Sequence, residues 1–160
     1  MDVLTSEHIQ NTLTTLGVDT EITFYGESTA TSQQAADQIG CELGQIAKSL
    51  CFMVNKAPVL VIASGDQRVD TKKLSTRYAV GRKKVKTAKP DECIAIFGYA
   101  PGGVPPVAHR TPNIPVLIDD SLNRFEQLYA AGGAHNAIFP IKLDELVTAT
   151  NGEIADVKQE

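Results

Sequence analysis

The sequence predicts an α+β domain built on a mixed, largely antiparallel sheet. Three observations point there. Helical and strand-like segments interleave without the regular strand–helix–strand rhythm of a parallel sheet. Two β-forming runs, 46–55 and 59–63, follow one another closely, as in a hairpin. The 160 residues, 42% hydrophobic and 21% charged, suit one globular unit, so 1–160 is expected to fold as a single domain.

Taken in order, Ser6 is placed to cap a helix with Ile9, Leu13 and Leu16 on one face and Gly17 at its end. Residues 20–24 read as a strand. Thr31 and Gln34 have capping-box spacing and open a helix that buries Ala35, Ala36 and Ile39 before stopping at Gly40. The hairpin turns through Lys56, Ala57 and Pro58. Asp70 caps a helix running to Tyr78, 85–88 form a short strand, and Pro90 suits the first turn of a helix ending at Gly98. Residues 99–115, rich in Gly and Pro, are the least regular. Beyond them come a strand (116–119), a short helix (121–126), strands at 127–131 and 136–141, a helix at 143–150 and an edge strand at 154–157.

Several function classes drop out. No apolar run reaches the ~18 residues of a membrane helix. The acidic, amphipathic N-terminus lacks the basic start and apolar centre of a signal peptide, so a cytoplasmic location without a membrane partner is expected. Cys41, Cys51 and Cys93 form no CxxC pair, and His8, His109 and His135 no HExxH, so reduced core thiols and no metal site are expected. There is no GxGxxG or Walker-type loop, and no cofactor is expected.

The net charge of −4 hides an asymmetry. Of 15 basic residues, 8 lie between Lys72 and Lys89 with no Asp or Glu among them; the rest of the chain carries 7 basic and 19 acidic residues. Lys72, Lys73, Arg77, Arg82, Lys83, Lys84 and Lys86 are therefore candidates for contact with nucleic-acid phosphates. A solvated helix followed by a lysine-protected edge strand explains the same charges. Both readings stay open on charge alone.

Lys48 is the most informative residue. Strand alternation places it on one face with Ile46, Leu50, Phe52 and Val54, so its ammonium should turn inward or into a pocket. Such a charge is costly unless paired or functional, and the alternative is an ion pair with a carboxylate such as Asp66. A second feature is the run YAPGGVPPVAH, 99–109. Gly102 and Gly103 allow a ligand close to the backbone, Pro105 and Pro106 stiffen the end of the run, and free amides there suit a developing oxyanion. Such loops also occur as plain turns. His109, and His135 with Asn136 in a later Gly-rich loop, are placed where they can line a pocket, although a surface role is the commoner one for each histidine taken alone. Ser49, Cys51, Ser64 and Ser121 have neither a GxSxG elbow nor an evident His partner.

The motifs TSQQAADQIG, QIAKSLCFMV, VLVIASGDQRVDTKKL, GYAPGGVPPVAH, PVLIDDSL, LYAAGG and LDELV, in that order, resemble the YbaK and prolyl-tRNA-synthetase-associated editing domain over nearly the whole chain. The resemblance implies a barrel-like sheet surrounded by helices and hydrolysis of mischarged tRNA in trans, most often tRNA for proline carrying Ala, Cys or another small amino acid. It implies aminoacyl-tRNA as partner, with prolyl-tRNA synthetase a further candidate. The family's lysine falls on Lys48 and its glycine-rich loop on Gly102, Gly103 and Pro106. Its pocket-edge hydroxyl falls on Thr31 or Ser32, and its pocket aromatics on Phe24 and Tyr25. Many members have Ser or Thr where this chain has Pro105, which removes a hydroxyl and an amide donor. Two rival readings are a non-catalytic tRNA- or synthetase-binding module and a small-molecule acyl hydrolase.

Overall fold

The computed structural model describes residues 2–160. Helix α1 (Ser6–Thr15) starts one residue earlier than the capping signal implied: Thr5 is the cap and accepts from the His8 amide at 3.2 Å. Ser6 instead donates to the Gly132 carbonyl. Ile9 and Leu13 are buried, while Leu16 follows the last turn and is 47% exposed. Removing a side chain such as Leu13 would cost about 2–5 kcal/mol.

Strand β1 (Thr23–Phe24) is shorter than expected. Helix α2 (Ser32–Ile39) opens on the Thr31–Gln34 capping box and closes on Gly40, whose φ of +79° suits a residue without a Cβ. Next come β2 (Ile46–Val54) and β3 (Ala57–Ser64), paired antiparallel with Val54 opposite Ala57. The turn is therefore Asn55-Lys56, both left-handed, and not 56–58. Pro58 lies inside β3 opposite Met53. Its missing amide costs no rung there, because the Met53 backbone faces β2's other edge.

Helix α3 (Thr71–Arg77) is capped by Asp70, and β4 (Val85–Thr87) follows. Helix α4 (Pro90–Glu92) continues as a π-helical turn over Cys93–Phe97 that ends at Gly98, φ +101°. After residues 99–115 come β5 (Val116–Asp119), a 3₁₀ turn (Asp120–Arg124), β6 (Gln127–Ala131), β7 (Ala137–Lys142), α5 (Leu143–Thr150) and β8 (Glu153–Ala155).

Among the described residues the eight strands join one mixed sheet in the order β1-β7-β6-β2-β3-β5-β8, with β4 also on β2. The expected α+β fold with helices around a mixed sheet is present. The main core packs Ala47 and Cys51 of β2 against Leu60, Ile62, Phe97, Tyr99 and Phe139. The opposite face of β2 holds two smaller clusters, one around Ile46 and Ala35, the other around Phe52 and Val54. Lys48 lies between these two clusters along the strand.

One edge of β2 is shared. It pairs with β6 at Ile46 and Ala47, and with β4 from Phe52 to Val54; the Ala88 amide also donates to the Cys51 carbonyl. Between them, along Lys48, Ser49 and Leu50, that edge has no strand partner among the described residues. The interruption positions the candidate site.

Candidate active site

A cavity of about 240 Å³ opens at this interruption. Lys48, Ser49 and Leu50 form one wall, Thr31 and Ser32 at the start of α2 form a second, and Gly102 with Val104 a third. The sequence pattern thus brings Lys48, Gly102, Thr31 and Ser32 to a single hollow. Capping fixes Thr31: its side chain accepts from the Gln34 amide, so the chain enters α2 at the cavity rim in one direction.

Lys48 is half-buried and donates through Nζ to the Gln67 carbonyl at 2.7 Å. Burial, and then the nearby positive Arg68, lower its pKa, while Asp66 opposes them. The expected alternative of a Lys48–Asp66 ion pair is not formed. Asp66 is held by both terminal nitrogens of Arg124, at 2.7 and 2.9 Å, which keep its carboxyl below the ordinary range. The same guanidinium donates to the Ser121 carbonyl and to Ser64 Oγ, so it braces the start of the segment that carries Gln67.

The two glycines behave differently. Gly102 is exposed at φ +89°, and its amide, like that of Val104, makes no hydrogen bond among the described residues. A Cβ at Gly102 would lie 3.1 Å from the Ala30 Cβ. Gly103 is buried, donates its amide to the Ala100 carbonyl and accepts from the Gly133 amide. The expectation that both amides face a substrate is therefore corrected: the Gly103 amide is consumed by its own turn.

Other expected pocket residues also lie elsewhere. Pro106 and His109 line a separate groove with residues 111–116 and the end of α5. His109 Nε2 is 2.8 Å from the Pro105 carbonyl, and its ring meets Phe97 edge-on at 5.6 Å. Burial lowers its pKa. It braces the loop rather than meeting a substrate. Asn136 does not line the cavity: its side chain donates to the Tyr25 carbonyl, and the Tyr25 amide donates back to the Asn136 carbonyl, extending the β1–β7 pairing. Tyr25 packs with Tyr129 and Cys41 in the cluster around Ile46, and Phe24 is 59% exposed; neither lines the cavity.

Sequence reasoning passed over Ser49. Its Oγ is buried without a hydrogen-bond partner among the described residues, in the wall where the β2 edge is unpaired. Such a group is costly unless something meets it. The missing signal was the split of one strand edge between two partners, which local periodicity does not encode.

The basic stretch divides in two. On α3, Lys73 pairs with Asp156 at 3.1 Å and Glu160 at 2.7 Å, and Arg77 with Glu153. Arg82, Lys83, Lys84 and Lys86 are exposed and make no ion pair among the described residues; Lys72 makes none either. The tight hairpin adds exposed Lys56 beside them, since the Asn55 amide donates to the Lys84 carbonyl. Asp119, Asp120 and Asp156 bring carboxylates within 4.8 Å of one another, and Lys158 already sits on Asp120 and Asp156. Among the described residues no helix is long and apolar enough to cross a membrane.

A lysine and an open main-chain amide thus stand in the walls of one small hollow on this sheet. The chain belongs to the aminoacyl-tRNA editing domain family, whose model matches residues 26–149. It is similar to the uncharacterized protein YwhH of Bacillus subtilis, 34% identical over 131 residues, 80% of each chain. EbsC of Enterococcus faecalis, named as a candidate Cys-tRNA(Pro)/Cys-tRNA(Cys) deacylase, is 26% identical over 134 residues, 83% of this chain and 80% of that one. A solved structure of a candidate trans-editing enzyme for prolyl tRNA synthetase aligns with a TM-score of 0.90 at 35% identity, over 97% of both chains.

Proposed function

We propose that this protein is an aminoacyl-tRNA deacylase, with residues 1–160 forming one cytoplasmic editing domain that cleaves mischarged tRNA in trans. The substrate class we infer is tRNA for proline carrying Ala, Cys or another small amino acid, with prolyl-tRNA synthetase as a partner. One observation carries this reading: Lys48 and the unengaged Gly102 amide line the same cavity of about 240 Å³.

An aminoacyl ester is an activated acyl group, so no protein nucleophile is required. Water attacks the ester carbonyl, directly or after the 2′-hydroxyl of the terminal adenosine has taken over the acyl group, and gives up one proton as it adds. Negative charge grows on the carbonyl oxygen, where the Gly102 amide and the Lys48 ammonium stabilise it in a partly dry hollow. The bond from the acyl carbon to the ribose oxygen then breaks, and that oxygen leaves with a proton. Thr31 and Ser32 offer hydroxyls at the rim. The phosphates of the acceptor arm lie against the unpaired part of the basic stretch, Lys72, Arg82, Lys83, Lys84 and Lys86, rather than against Lys73 and Arg77, which already meet carboxylates.

Selection against the cognate amino acid is steric in this reading, because apolar contacts separate neighbours differing by a methylene by only ~1–3 kcal/mol. A small chamber that admits Ala or Cys and refuses proline supplies the second sieve. The test is a deacylation panel on tRNA for proline charged with Ala, Cys, Ser, Thr and Pro. Cleavage of a small amino acid and sparing of Pro is expected. Binding of every charged tRNA without cleavage of any would leave a non-catalytic module.

A further inference from the structure

The segment 65–68 starts beside Ser32 and Ile46 of the cavity wall and is fixed from three sides. Gly65 passes so close to α2 and β2 that a Cβ there would strike the Leu43 carbonyl oxygen and lie 3.0 Å from the Ser32 Cβ. Asp66 is clamped by Arg124, and the Gln67 carbonyl accepts from Lys48. The Arg68 carbonyl accepts from the Gln159 amide at 2.8 Å, and Val69 bridges to Lys158. The backbone of Arg68 is thus held one residue, ~3.8 Å of chain, beyond the acceptor of the Lys48 ammonium.

Its side chain is exposed and makes neither a hydrogen bond nor an ion pair among the described residues. The nearest carboxylates along the chain are taken. Asp66 is bound by Arg124, and Asp70 accepts from the Lys72 amide as the cap of α3. A guanidinium without an anion is therefore carried on a held backbone one residue beyond the acceptor of a half-buried ammonium, and its charge lowers the Lys48 pKa. One cation in the cavity wall and a second carried by the segment that accepts its hydrogen bond leave a place for an anion between or beside them, and a guanidinium fork matches a phosphate bidentately.

We propose that Arg68 is a substrate-binding residue that takes the 5′-phosphate of the terminal adenosine, leaving Lys48 to the ester carbonyl. The assignment rests on the deacylase reading and divides its labour: one cation anchors the nucleotide, the other meets the reacting group. A phosphate on Arg68 also offsets the repulsion that Arg68 exerts on Lys48, so the filled site holds the ammonium charged more firmly than the empty one.

The test uses two small esters, the 3′-aminoacyl esters of adenosine and of adenosine 5′-monophosphate, carrying the amino acid cleaved fastest from tRNA. The wild-type protein should prefer the phosphorylated ester by roughly tenfold or more in kcat/KM, the scale of a charge-assisted hydrogen bond. Arg68→Ala should bring that ratio to about one, and Arg68→Lys should restore part of it. With charged tRNA, Arg68→Ala should raise KM and leave kcat within about threefold. It should also move the alkaline fall in activity to higher pH, since Lys48 loses a repelling neighbour. Equal cleavage of the two esters by wild type, or an Arg68→Ala protein that keeps the preference, overturns the assignment while leaving the deacylase reading standing. Failure of wild type on charged tRNA as well as both esters removes that reading and this one together.

Discussion

The loop of residues 99–109 serves two hollows, and they differ in what is left free. Toward β2 it presents Gly102, exposed and with an unengaged amide, opposite a wall that includes Lys48. Toward α5 it presents Pro106 and His109, with the imidazole already bonded to Pro105 and packed on Phe97. The second groove is the larger, about 550 Å³ against 240 Å³. Size is the poorer guide: chemistry needs groups with unspent hydrogen-bonding capacity, and these gather in the smaller hollow.

That contrast can be broken by substitution. Replacing Lys48 with Ala or Met should lower deacylation by ~10²–10³, the cost of losing one charge-stabilising donor, with the unfolding curve little changed. Rates near wild type in both variants would remove Lys48 from the reaction. Gly102→Ala comes next, since its φ of +89° and the 3.1 Å approach to Ala30 force the loop to shift. Roughly 10-fold to 10²-fold loss of kcat is expected from such a displacement. His109→Ala should do the opposite, costing about 1–3 kcal/mol of stability in denaturant unfolding while kcat stays within about twofold.

The same histidine gives a pH signature. Burial depresses its pKa below the ordinary 6.5, so the unfolded chain binds the proton more readily than the folded one. Stability should therefore fall as pH drops below about 6.5 and level off below the folded-state value. In His109→Asn that step in Tm against pH should vanish. The Asp66 carboxyl, depressed below 3.8 by Arg124, loses its contribution only at more acid pH, so the two windows separate.

The smallest expected effects are on the surface. Neutralising Lys83 and Lys84 should flatten the salt dependence of tRNA binding by ~0.7–0.9 in slope for each phosphate left without its lysine. Neutralising Lys73, already shared between Asp156 and Glu160, should change it little. Equal slopes for the two variants would mean that the ion pairs open when tRNA binds.

Much of this was legible in the sequence because it was local. The Thr31–Gln34 box, the Asp70 cap, the Gly40 stop and the inward turn of Lys48 depend on neighbours within a few residues. The hairpin was found but its turn misplaced, because Asn55 and Lys56 both enter the left-handed region and Pro58 tolerates a position without a rung. What failed was long-range. Asn136 pairs with Tyr25 across 111 positions, and the Ala100 carbonyl claims the Gly103 amide through a turn no composition reveals. The charge run was visible, but its partial neutralisation by Glu153, Asp156 and Glu160 was not.

Because β6 and β4 flank the same side of β2 end to end, the sheet makes room for a ligand in its interior instead of at its rim. The vacant rung at Ser49, between the β6 and β4 pairings, is boxed in by α2 and the 102–104 backbone, out of reach of a neighbouring molecule's strand. A protein can thus keep unpaired main-chain groups available for recognition without offering the sticky border that invites self-assembly.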